Sequence, residues 1–210
     1  LSYVALGAAA APSLHLDRLV ATLAAFFLAV GICAHALDEL NGRPLKTRLS
    51  DRALVSMSAA GLVFALALGV IGVITVSAGL AVFMALGSFL VLSYNLELFG
   101  GRFHNDFWFA LSWGAFPCLT SYWINALSVS LAGVLMVAAC FGLSLAQRYL
   151  STPARQLRRR TVSVEGKQLL VDGQTVELSQ ALLAKPLESS LKTISVALCL
   201  LAAAAVVIRI

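Results

Sequence analysis

Six side chains capable of acid–base or metal chemistry stand in two short runs. His35-Ala36-Leu37-Asp38-Glu39 closes one apolar segment, while Tyr94-Asn95-Leu96-Glu97 and His104-Asn105-Asp106 follow another. On a helix, residues three and four apart share a face, so His35, Asp38 and Glu39 point the same way. An ionisable residue at the edge of a membrane-length segment is a functional candidate by default. The ordinary alternative is a helix end reaching water with its acids solvated. Carboxylates alone suit Mg²⁺, and adding imidazole moves the preference toward Zn, Fe or Mn. His35, Asp38, Glu39, Glu97, His104 and Asp106 are therefore candidate ligands of a divalent metal, with Asp38, Glu39, Glu97 and Asp106 as candidate catalytic acids. Two His and four carboxylates exceed what one ion needs, but the spacing is not the paired Glu-x-x-His of dinuclear helical bundles. Gly100-Gly101 supplies a turn that suits a loop folding over a site and equally an ordinary loop.

The elements that must position these residues are membrane helices. Of 210 residues, 60% are hydrophobic and 12% charged, about half the charged share of a soluble domain. A spanning helix needs about 20 apolar residues, which Leu16–Leu37, Ala53–Ile71, Val73–Tyr94, Phe107–Ile124, Leu127–Ala146 and Thr193–Ile208 meet loosely. Leu1–Pro12 is apolar but too short, and reads as the tail of a first helix whose start is missing. A signal-peptide reading of Leu1–Ala11 lacks a positive n-region. The expected fold is all-α, a polytopic bundle of about seven segments.

Charge gives the topology. Thirteen of the 15 Lys and Arg residues, and nine of the ten acids, fall in Asp38–Arg52, Asn95–Asp106 and Arg148–Lys192. The connections at Ser13–His15, at Gly72 and at Asn125 and Ala126 are nearly bare. Lys and Arg are retained on the cytoplasmic side, so these three stretches are expected inside. The net charge of +5 fits anionic headgroups more simply than nucleic acid. Residues 1–150 form the expected bundle, 151–192 a cytoplasmic basic loop and 193–210 a final helix.

That loop differs in kind. After Pro153 come Arg155 and Arg158-Arg159-Arg160, then Val162, Val164, Leu169, Val171, Val176 and Leu178 alternate with polar residues. Glu165-Gly166 and Asp172-Gly173 punctuate the run, which reads as a small β-meander. It is too small to fold alone and must pack on the helix ends, the membrane surface or a protein partner.

Pro117 should kink its helix or free a carbonyl. Trp108, Trp113, Tyr122 and Trp123 sit where interfacial aromatics belong; the alternative is a pocket for an isoprenoid or other lipid. Cys33, Cys118, Cys140 and Cys199 lie inside apolar segments without metal or disulfide spacing, as small core residues do.

The run Asp38-Glu39-Leu40-Asn41-Gly42-Arg43-Pro44-Leu45, with Arg48-Leu49-Ser50 and Arg52-Ala53-Leu54, resembles the segment after the second helix of UbiA-type membrane prenyltransferases. Tyr94-Asn95-Leu96 and Trp113-Gly114-Ala115-Phe116-Pro117 are similar to that family's fourth-to-fifth helix region. The resemblance covers roughly Leu16 to Tyr122. It implies a helical bundle with a cytoplasm-facing cavity, Mg²⁺ on Asp residues, and a prenyl diphosphate held with help from Arg43. The chain departs from the pattern at Glu97, where a basic residue is expected. It departs again after the sixth segment, where arginines replace a second Asp-rich motif. Arg158, Arg159 and Arg160 would then have to hold the diphosphate. Three functions remain open: a divergent prenyltransferase, a non-catalytic lipid- or pigment-binding subunit, and a His/carboxylate metal enzyme.

Overall fold

The computed structural model describes residues 1–210, folded as seven helices and one two-stranded sheet. The helices are α1 (Ser2–Ala10), α2 (Leu16–Leu40), α3 (Asp51–Thr75), α4 (Leu80–Asn95), α5 (residues 106–126), α6 (Leu131–Arg160) and α7 (Gln180–Val207). Four of them, α2, α3, α6 and α7, are long and apolar enough to cross a membrane, and α4 is a shorter apolar helix. Large apolar side chains such as Phe64, Ile74, Val82, Leu135 and Leu200 face outward. Such a surface is stable only against lipid, and it marks a membrane protein.

Polar contacts define two ends of the bundle. At one, Asn41 Nδ2 donates to Asn95 O and Arg148 Nε to Asp106 Oδ1. At the other, His15 N donates to Asn125 Oδ1, and Arg209 donates to the carbonyls of Ala11 and Pro12. All three charged stretches meet at the first end.

Short α1 is the most enclosed element. Val4 and Ala8 are fully buried, and a Cβ at Gly7 would fall 2.1 Å from Cys118 O. Only glycine permits that approach between α1 and α5.

Several boundaries differ from the sequence expectation. Helix α3 runs through Gly72 and turns at residues 76–79. Glycine alone does not end a helix where no water can satisfy a freed N–H; here it admits Leu80, whose Cδ2 lies 2.6 Å from where a Cβ would stand. Leu127, left-handed at φ 51°, ends α5. Ser130, whose Oγ accepts from Gly133 N, then starts α6.

Helix α6 also continues through Pro153 to Arg160, and α7 begins at Gln180 rather than near Thr193. These polar extensions hold each other. Ala154 and Ala184 are buried, Arg158 forks onto both oxygens of Glu188 at 2.5 and 2.7 Å, and Gln180 Nε2 donates to Leu157 O. Sequence hydropathy cannot register such a pair.

The expected meander is a single hairpin, β1 (Lys167–Leu169) antiparallel to β2 (Thr175–Glu177), with Lys167 opposite Glu177. Its outer apolar residues do not pack on the helix ends: Val162, Leu169 and Val171 are exposed. Among the aromatics, Tyr122 is a core residue bonded to Ser130 Oγ at 2.6 Å, and Trp113 is half-buried. Cys33, Cys118 and Cys140 are buried as expected, whereas Cys199 is exposed on the apolar surface; all four are free thiols.

Candidate functional site

The charged end brings several of the expected residues near one another but gives most of them structural work. Glu39 is 2% exposed, and its carboxylate accepts from Leu45 N (2.8 Å), Thr47 N (2.7 Å) and Thr47 Oγ1 (2.9 Å). It therefore organises the loop after α2, where Arg43 and Lys46 adopt left-handed backbone. Arg43 donates to Leu49 O and pairs with Asp51, so it ties the same loop and is not free for a diphosphate.

His35 turns back on its own helix, with Nδ1 2.7 Å from Val30 O. His104 Nδ1 lies 2.9 Å from Tyr94 O and 4.0 Å from Glu97 Oε1, and its ring stacks on Tyr94 at 4.4 Å. Asp106, in the first turn of α5, accepts from Arg148, whose guanidinium also lies 5.0 Å over the Phe109 ring. Arg158 is held by Glu188, which leaves Arg159 and Arg160 exposed at the helix end.

No three His, Cys, Asp or Glu side chains form a group able to hold an ion. The six expected ligands therefore do not make a protein-built metal shell.

Asp38 is the exception among the acids. It is exposed, no salt bridge holds it, and His35, His104, Arg155 and Arg148 lie within electrostatic reach. The nearness of Arg148 and Arg155 to this end has no local signature in the sequence. Both follow an apolar segment and so carried only a topology signal.

A second feature lies deeper. An apolar cavity of about 260 Å³ opens among α2, α3, α4 and α5, walled by Phe26, Leu62, Phe83, Trp113 and Phe116. It runs from Asp17 and Arg18 at the charge-poor end to Val30 and Val91.

Two π-helical segments form part of its wall: Phe27–Ala34, through Ala29 and Val30, and Leu111–Ala115, through Ser112 and Trp113. π-Segments recur at functional sites because the extra residue per turn displaces side chains and frees backbone groups. The second stands just before Pro117, whose missing N–H removes the bond that Trp113 O would receive. The Ser112 hydroxyl, on the same wall, is buried without a partner.

The chain matches no protein-family model, no curated protein and no solved structure. Its function therefore rests on its own residues.

Between the two features stands an aromatic wall. Tyr94 is 4% exposed, stacks on His104, and meets Trp113 edge-on. Trp113 faces the cavity, whereas Tyr94 stands with His104 at the charged end. The arrangement can hold an apolar chain on one side and charged groups on the other.

Proposed function

We propose that the protein is a lipid-binding integral membrane protein of UbiA-like architecture, holding one isoprenoid or similar chain among α2, α3, α4 and α5. The observation that carries this reading is the apolar cavity of about 260 Å³ inside a bundle of membrane-length helices. Close-packed interiors have few voids larger than a water molecule. An apolar hollow with a few polar groups is the usual form of a small-molecule site. Its size lies just below the roughly 300–1,000 Å³ of drug-sized pockets, which suits one chain rather than a two-chain lipid.

In this reading α1 to α7 are the seven membrane segments and the charged end faces the cytoplasm, because Lys and Arg are retained there. Arg159 and Arg160 meet anionic headgroups, and the exposed apolar residues of the hairpin serve that surface or a protein partner.

The test is mass spectrometry of lipid that co-purifies with the protein in nanodiscs. Ala65 lines the cavity, and Ala65→Phe should remove the bound lipid while helicity and monodispersity persist. Equal lipid content in both proteins would overturn the reading.

One observation favours a second reading, that of a divergent prenyltransferase: the Asp38 carboxylate is exposed and in no ion pair at the charged end of the bundle. The residues present do not fit a metal shell of their own, so no metal-dependent step follows from them. Titration with a prenyl diphosphate and Mg²⁺ decides the matter. Binding that Asp38→Asn abolishes supports the enzyme, and no binding at millimolar ligand excludes it.

A further inference from the structure

We infer that the cavity takes a single-chain amphiphile with an anionic head, inserted from the charge-poor end with its head on Arg18. This rests on the lipid-binding reading and adds to it the orientation and the head-group chemistry.

Arg18 is the only basic residue on the cavity wall. It is half-buried, and one guanidinium nitrogen donates to Ile124 O at 2.9 Å. No acid lies within salt-bridge distance of it. A guanidinium carries five donors, and a half-buried cation at the edge of hydrocarbon is costly unless it is paired. Asp17, also at this mouth, is exposed in the first turn of α2. There it meets the positive end of the helix rather than Arg18.

The Ser112 hydroxyl, next to Trp113 at the far end, has no partner, and the remaining hydroxyls on the wall are satisfied. Thr22, Thr75, Ser88 and Thr120 each donate to the carbonyl four residues earlier. At the charge-poor mouth an incoming polar head therefore finds its open donors at Arg18.

Beyond Arg18 the space is suited to a hydrocarbon chain. The wall continues to Val30, about 18 Å along the helix at 1.5 Å per residue. The rings of Phe26, Phe83 and Phe116 line it, tilted against one another at 6.1 and 6.3 Å. Trp113 closes the far end, and Trp123 packs against Phe83 at 4.9 Å. Two of the chain's three tryptophans thus report on this space. The third, Trp108, packs on Phe103 and Phe107 outside it.

The experiment uses the full chain carrying Trp108→Phe. Its tryptophan fluorescence is titrated in detergent with 9,10-dibromostearate at alkaline pH and, separately, with the methyl ester of the same acid. Bromine quenches only at close range, so a saturable component reports chain occupancy beside Trp113 and Trp123.

The acid should bind more tightly than the ester. Arg18→Gln should weaken the acid about tenfold, the worth of one charge-assisted hydrogen bond, and leave the ester unchanged. Arg18→Lys should keep the preference, which separates loss of charge from loss of fold.

If Arg18→Gln changes acid and ester alike, or changes neither, the head-group assignment is wrong while lipid binding stands. If neither probe gives saturable quenching that Ala65→Phe removes, both the assignment and the lipid-binding reading fall.

Discussion

The rings of Tyr94 and Trp113 meet edge to face, with centroids 5.5 Å apart and planes at 81°. That contact stands between the apolar cavity, which Trp113 lines, and the charged end. Edge-to-face pairs of this kind add about 0.5–1.5 kcal/mol beyond area burial, and Tyr94 gains a further stacked partner in His104.

Removing the ring should breach the partition. In Tyr94→Ala, Trp113 becomes accessible to iodide from the aqueous phase, and stability falls by about 3–5 kcal/mol, as for a large aromatic deleted from a core. Stern–Volmer slopes and thermal unfolding measure the two effects, and an unchanged iodide slope would refute the partition.

Two glycines give a paired packing test. Gly7→Ala would drive a Cβ into Cys118 O, whereas nothing lies within 4 Å of a Cβ at Gly142. Since backbone cannot yield cheaply, Gly7→Ala should cost about 1–3 kcal/mol or more. Gly142→Ala should be neutral or slightly stabilising, because it restores helix propensity. Parallel melting curves in one detergent compare them.

Glu39→Gln should loosen the loop without disturbing the bundle. The amide offers one acceptor oxygen where the carboxylate serves three donors, so Leu45 and Thr47 lose protection. Hydrogen exchange at those two amides should quicken while helix α2 keeps its rates. Unchanged exchange would return Glu39 to the list of free acids.

The gathering of charge at one end was legible in the sequence, because Lys and Arg avoid hydrocarbon wherever the chain folds. The roles of individual acids were not. Glu39 looked like Asp38 until the loop brought the N–H groups of Leu45 and Thr47 to it. Arg158 read as a candidate diphosphate or headgroup arginine until Glu188, thirty residues on, came within 2.5 Å. Arg18 carried no signal at all, since a cavity is built by four segments at once and no local pattern records it.

Sidedness is open to direct test. Cysteines introduced at Thr47 and Gln174 should both be labelled only from the cytoplasmic face, and one at Ser128 only from the opposite face. Labelling of Thr47 and Gln174 from different faces would contradict the shared end of the bundle as well as its orientation.

The paired extensions of α6 and α7 have a practical consequence. They form a short antiparallel stalk, stapled by Arg158 and Glu188, with the hairpin turn at Asp172 and Gly173 exposed at its tip. A folded domain spliced between Arg160 and Gln180 in place of the hairpin would be carried by two continuous helices rather than by a flexible linker. A membrane protein of this size offers little to align in electron images; the stalk supplies a stiff mounting point for added mass, far from the cavity.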